Sequence, residues 1–147
     1  MTDGNLHQIF LTHLKHAHCQ SVQNISTGAG VPDDNWCLSG SEFWIEYKKS
    51  EANVLSHNLS PHQIGWIERR LRAGGRVFVA VRLQWGSGPR RGAAMDALLL
   101  YHGREARALA LGGLSGAGKP LGRWEGGPAR WDWPEIEALL VKTKFQG

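Results

Sequence analysis

The feature that most constrains this chain is a pair of alternating stretches, residues 31–38 and 42–49, with only Ser39-Gly40-Ser41 between them. Such short punctuation between two period-two runs predicts an antiparallel hairpin. In the second run Phe43, Ile45 and Tyr47 fall on one side, and Trp44, Glu46 and Lys48 on the other. Glu46 and Lys48 therefore share a face. Asp33 and Asp34 lie at the start of the first run, and turn length decides which of them meets Glu46. A two-residue loop pairs position 38 with 41 and Asp33 with Glu46; a three-residue loop brings Asp34 there instead.

In both registers a carboxylate pair sits across adjacent strands with Lys48 two residues along. Two close carboxylates repel unless a cation bridges them. Mg²⁺ fits: it takes hard oxygen ligands, keeps several waters and accepts phosphate from a substrate. That is the constellation for metal-assisted phosphodiester hydrolysis, with Lys48 stabilising or orienting the attacking hydroxide. The competing reading makes Asp33-Asp34 a turn cap and Glu46/Lys48 an ordinary exposed strand pair.

Around the hairpin the elements read as follows. Leu6, Ile9, Phe10, Leu14 and Ala17 form the stripe of an opening helix, and residues 21–27 read as a strand broken at Gly28-Ala29-Gly30. Ser60-Pro61-His62-Gln63 starts a helix: a hydroxyl cap, proline at the first position and glutamine three residues after the cap. Ile64, Ile67 and Leu71 are its buried stripe, and Gly74-Gly75 end it. Residues 76–83 are a strand, 84–94 a glycine- and arginine-rich loop, 95–101 a buried strand and 104–111 a short helix. Residues 112–130 read as irregular, and Asp132-Trp133-Pro134-Glu135 opens a last helix carrying Ile136, Leu139 and Leu140. The order implies one α/β domain over residues 1–147, a mixed sheet flanked by helices.

With 147 residues the chain can bury about two-thirds of its unfolded surface. No apolar run approaches the ~20 residues of a membrane span, and Met1-Thr2-Asp3-Gly4 begins no signal segment. A soluble, unprocessed cytoplasmic protein is expected. Two cysteines, Cys19 and Cys37, without CxxC spacing suit a reducing compartment. The net charge of +4 and pI near 9.4 permit a polyanionic partner without requiring one.

The ordered motifs Gly30-Val31-Pro32-Asp33, Phe43-Trp44-Ile45-Glu46-Tyr47-Lys48, Ser60-Pro61-x-Gln63-x-x-Trp66 and Ala73-Gly74-Gly75-Arg76-Val77 resemble a PD-(D/E)xK nuclease. More narrowly they are similar to the stand-alone VRR-NUC domains of bacteriophages and prophages, grouped with Holliday junction resolvase-like enzymes. The likeness covers residues 20–83. It implies a restriction-endonuclease-like core and Mg²⁺- or Mn²⁺-dependent cleavage of DNA, favouring branched duplex. It also implies a homodimer, since resolving a four-way junction takes two cuts, and host-cell cytoplasm for a phage-encoded chain. The aspartate after proline is then the ligand, which selects Asp33 and the two-residue turn. Glu46 is the second carboxylate ligand, the Tyr47 carbonyl a third, Lys48 the catalytic lysine, and Gln63 an orienting residue. The chain departs from that pattern in lacking a first-helix glutamate, where Gln8, His13 or His16 are the available substitutes. Asp34 is the other departure and stands as a reserve ligand.

Gln63 also suits a purely capping role. Gly113 to Lys119 has the GxxxxGK spacing, but Pro120 replaces the hydroxyl residue and no strand precedes, so no nucleotide site is expected. His13, His16 and His18 lack a second pair at zinc spacing and read as solvated. Trp36, Trp44 and Trp66 are expected in the core; Trp124, Trp131 and Trp133, the 95–101 strand and the last helix are expected at a partner surface. Lys49, Arg69, Arg70, Arg72, Arg90 and Arg91 are the candidate DNA-phosphate contacts, with Arg76 and Arg82 adding to the basic supply. Two other readings stay open: a restriction-like or DNA-end nuclease with the same site, and a non-catalytic DNA-binding module.

Overall fold

The computed structural model describes residues 3–22, 30–55, 58–86 and 94–145. Six strands form one mixed sheet in sequential order: β1 (His18–Ser21), β2 (Asp34–Leu38), β3 (Ser41–Ser50), β4 (Val77–Trp85), β5 (Met95–His102) and β6 (Gly122–Trp124). Every neighbouring pair is antiparallel except β3 and β4. A parallel pair needs a crossover, and α2 (Pro61–Arg72) provides it. The other helices are α1 (Leu6–His13), α3 (Ala106–Gly116, preceded by a 3₁₀ turn) and α4 (Trp133–Lys142).

Strand alternation sends the apolar side chains to two cores, one on each face. Trp36, Ile45, Tyr47, Phe78, Ala80, Leu98 and Leu100 pack with Leu6 and Phe10 of α1 and Ile136 and Leu140 of α4. Val79, Val81, Leu99 and Tyr101 pack with Ile64 and Ile67 of α2 and with Ala106 and Leu109 of α3. A sheet covered on both faces explains the near-continuous burial of residues 77–81. Among the described residues no helix is long and apolar enough to cross a membrane.

The hairpin has its two-residue loop. Ser39 and Gly40 both take positive φ (50° and 80°), and Leu38 pairs with Ser41. That left-handed pair matches the twist of the flanking strands.

Several expected boundaries move. The opening helix stops at His13, although Leu14 is still buried. The first strand lies at His18–Ser21, because its partners run from Cys37 to Asp34 of β2; of the expected 21–27 strand, residues 23–27 fall outside the described residues, as do Gly28 and Ala29. The 112–130 segment is not irregular throughout: α3 runs on to Gly116 and β6 pairs with β5.

The late tryptophans are not a partner surface. Trp124, Trp131 and Trp133 are 7%, 3% and 9% exposed. Their indole N–H groups donate to Glu135 Oε1 (3.0 Å), the Asp96 carbonyl (3.2 Å) and the Pro128 carbonyl (2.8 Å). A buried indole needs such a partner, and here each one stitches the segment before α4 into the core. Strand β5 is interior and α4 packs inward through Ile136 and Leu140, so the surface expected to serve a dimer is used inside the chain's own core.

Two arginines expected to face phosphate are structural instead. Arg76 donates to the carbonyls of Leu140 (2.7 Å) and Thr143 (3.0 Å), closing the end of α4. Arg82 grips Asp96 with two nitrogens (2.9 and 2.7 Å) and donates to the Gly4 carbonyl at 2.8 Å.

Candidate active site

Strand parity turns Glu46 and Lys48 toward the α2 face, alongside Val79 and Val81 of β4. Both are buried, 2% and 6% exposed, in the middle of the sheet. Burying a carboxylate and an ammonium here costs stability that an ordinary surface pair would not, which removes the exposed-strand reading. Lys48 Nζ lies 3.5 Å from Glu46 Oε2.

Continuing the β2–β3 register by one residue puts Asp33 opposite Glu46. The Tyr47 N–H donates to Asp33 Oδ2 at 2.9 Å, so the backbone between Glu46 and Lys48 fixes this carboxylate.

Gln63 joins the cluster from α2 and serves both roles the sequence suggested. Its N–H donates to Ser60 Oγ (3.1 Å), and its Oε1 accepts from the Ser60 N–H (2.9 Å), a complete capping box. Its remaining amide donor reaches Glu46 Oε2 at 3.0 Å. Gly30, at φ 84°, brings the start of α2 this close: a Cβ there would overlap the His62 carbonyl. The glycine preceding Val31-Pro32-Asp33 is thus a close-approach glycine, packing the chain just before Asp33 against the helix that carries Gln63.

The electrostatics follow from burial. Glu46 is pushed up to about 8, first by burial and then by Asp33, with Lys48 opposing. Asp33 is also raised, chiefly by burial, and the Tyr47 N–H and Lys48 hold it back. Glu46 Oε1 is buried with no hydrogen-bond partner among the described residues. An orphaned carboxylate oxygen on the face it shares with a second carboxylate is a donor set that a hard divalent cation would satisfy.

Asp34 does not serve as a reserve ligand. It points to the α1 face, fully buried. His7 Nδ1 lies 2.6 Å from its Oδ2, and it accepts from the hydroxyls of Ser21 (2.9 Å) and Tyr47 (2.7 Å). Burial, and then Asp34, push the nearby Cys19 thiol up to about 12.

Parity likewise removes Lys49 from the site: it faces the α1 side and pairs with Glu51 at 3.7 Å. Arg69, Arg70 and Arg72 lie in the last turn of α2, and all three are exposed. Arg70 lies over the rings of Trp44 (5.8 Å) and Trp66 (5.4 Å), which are partly buried rather than core. Arg90 and Arg91 lie outside the described residues. Of the first-helix substitutes, His13 stacks on Trp133 at 4.4 Å and lines a surface pocket with His16 and Trp133, away from the cluster.

One acid was missed. Asp3 lies close enough to raise Asp33, and it caps the turn into α1 by accepting from the Asn5 N–H at 2.9 Å. Asp3 precedes the first helix rather than lying on it, in the Asp-Gly-Asn turn that leads into Leu6.

The fold and cluster define a mixed α/β domain in which buried Glu46 and Lys48 meet partly buried Asp33 and Gln63 on one sheet face. No protein-family model matches the chain, and no curated protein matches it.

Proposed function

We propose that this chain is a metal-dependent DNA endonuclease of the PD-(D/E)xK type, built on a restriction-endonuclease-like core. The observation that carries the reading is Glu46: buried, aimed by Gln63, flanked by Lys48, opposite Asp33, and with Oε1 left unpartnered. A module that only binds DNA has no use for this arrangement, because each buried charge costs stability and does nothing for affinity.

Asp33, Glu46 and the Tyr47 carbonyl would hold Mg²⁺ or Mn²⁺, which would supply the charge that polarises a phosphodiester and acidifies water. The rest of the chemistry belongs to the side chains. Lys48 presents an ammonium on the same face, where it neutralises charge growing on the phosphoryl oxygens and orients the nucleophile. Gln63 locks the Glu46 rotamer, and the Tyr47 N–H locks Asp33. The parallel β3–β4 pair and α2 keep these groups in place before substrate arrives.

Branched DNA is the proposed substrate and a two-fold dimer the proposed assembly, both from the resemblance in motif order. Arg69, Arg70 and Arg72 are proposed to hold backbone phosphate from the end of α2.

The test is cleavage of matched junction, flap, single-stranded and linear duplex DNA with Mg²⁺, comparing wild type with Glu46→Ala and Lys48→Ala. Wild type is expected to cut the junction best. Both variants are expected to lose at least about 100-fold in cleavage while still binding DNA. Equal cutting by Glu46→Ala would overturn the site. Equal cutting of all four substrates would remove the junction preference and leave a general nuclease. DNA binding without any cutting would return the non-catalytic module.

A further inference from the structure

The opposite face of the same hairpin carries a second cluster of a different chemical kind. His7 comes from α1, Cys19 from β1 and Asp34 from β2. An imidazole nitrogen, the thiol sulfur and a carboxylate oxygen from these three all lie within 4.8 Å of one another. We propose that His7, Cys19 and Asp34 form a zinc site that fastens α1 and the edge strand β1 to the body of the sheet.

The donor set distinguishes this place from the Asp33–Glu46 site. Mg²⁺ prefers oxygen throughout, whereas one sulfur, one nitrogen and one oxygen suit a borderline-soft ion such as Zn²⁺. Tetrahedral zinc sets its donors about 3.3–3.7 Å apart, which falls inside the observed cluster. The one adjustment needed is at the 2.6 Å contact between His7 Nδ1 and Asp34 Oδ2, which must open by less than about 1 Å. The His7 side chain is 33% exposed, so the cluster lies at the solvent edge of the α1 face.

Asp34 is also held from behind, as a ligating carboxylate usually is. The Ser21 hydroxyl donates to Oδ1 and the Tyr47 hydroxyl to Oδ2, while Trp36 Nε1 fixes the Tyr47 oxygen at 3.0 Å. These hydroxyls aim the carboxylate but bring no positive charge to a fully buried anion. Zinc supplies that charge. On binding, the Cys19 S–H bond breaks, its electron pair goes to zinc and the proton leaves to solvent; His7 binds through a ring nitrogen lone pair. Nothing is oxidised or reduced.

This proposal stands apart from the nuclease reading, and so does its test: titration of the reduced, Mg²⁺-free protein with Co²⁺, followed by displacement with Zn²⁺. In wild type a sulfur-to-cobalt charge-transfer band is expected to saturate with one equivalent of Co²⁺ whether or not a second, sulfur-free equivalent binds at Asp33 and Glu46, and Zn²⁺ is expected to abolish the band and raise Tm. Cys19→Ser is expected to lose the band, and Cys37→Ser and Glu46→Gln to keep it. His7→Ala, at a position one-third exposed, is expected to weaken Co²⁺ binding at least about tenfold. Absence of a sulfur–cobalt band in wild type, or an undiminished band in Cys19→Ser, would overturn the proposal.

Discussion

Asp33 and Asp34 are chain neighbours that the sheet sends to opposite faces, and the two faces treat a carboxylate differently. On the α1 side Asp34 has its oxygens engaged by Ser21, Tyr47 and His7. On the α2 side Asp33 faces Glu46, both carboxyls are raised by burial, and Glu46 Oε1 has no partner among the described residues. The oxygens of Asp34 all have partners within the fold, whereas an oxygen of the Asp33–Glu46 pair has none among the described residues. Burial alone therefore does not separate the two acids; the partners of their oxygens do.

The largest stability effect is expected on the completed side. Asp34→Ala takes the acceptor from the buried Tyr47 hydroxyl and leaves a cavity in the core, and should cost about 3 kcal/mol, read by denaturant unfolding. A cost near zero would mean that the α1-side network is incidental.

Gly30→Ala comes next, because the added methyl meets the His62 backbone at the start of α2. A loss of about 2 kcal/mol is expected, with a larger proportional loss of cleavage as Gln63 is pushed off Glu46. Retention of full activity would show that the approach of α2 to Asp33 is not needed.

The pH response should separate the faces without a core mutation. Glu46 stands at about 8 when folded, above its ordinary 4.5, so its contribution is fully present below the unfolded value. That contribution is lost as pH rises through about 8. The Tm of metal-free protein is thus expected to fall between about pH 5 and 8.5, and the slope to shrink in Glu46→Gln. Mg²⁺ binds the ionised form, so its stabilisation should grow over the same interval. A Mg²⁺ effect that is greatest at acid pH would contradict the assignment of Glu46.

The smallest effect concerns Gln63, which works in both the cap and the cluster. Gln63→Ala should cost about 1 kcal/mol through the cap. Gln63→Glu keeps an acceptor for the Ser60 N–H but has no donor for Glu46, so cleavage should drop while the helix holds. Equal cleavage by Gln63→Glu and wild type would reduce Gln63 to a capping residue.

Much of this was readable from local chemistry. Ser60-Pro61-x-Gln63 announces its own helix start, while Ser39-Gly40-Ser41 announces a turn but leaves its register open until the positive φ of Ser39 and Gly40 decide it. Parity alone placed Glu46 with Lys48, and the same parity puts Lys49 on the other side. What could not be read depends on partners distant in the chain. Asp34 is explained by residues of α1, β1 and β3, and the indoles of Trp124, Trp131 and Trp133 by acceptors that only the packed chain supplies. Arg76 and Arg82 look like phosphate ligands until the end of α4 and Asp96 fold against them.

The central claim is that the α2 face of this hairpin is a cation-dependent hydrolytic site and the α1 face is not. Its most direct test is Mg²⁺-dependent DNA cleavage by Asp33→Asn and Asp34→Asn, each checked for folding by circular dichroism at the assay temperature. Asp33→Asn should be folded and inactive, and Asp34→Asn less stable yet still cutting. Cleavage retained in Asp33→Asn, or abolished in a folded Asp34→Asn, would contradict it.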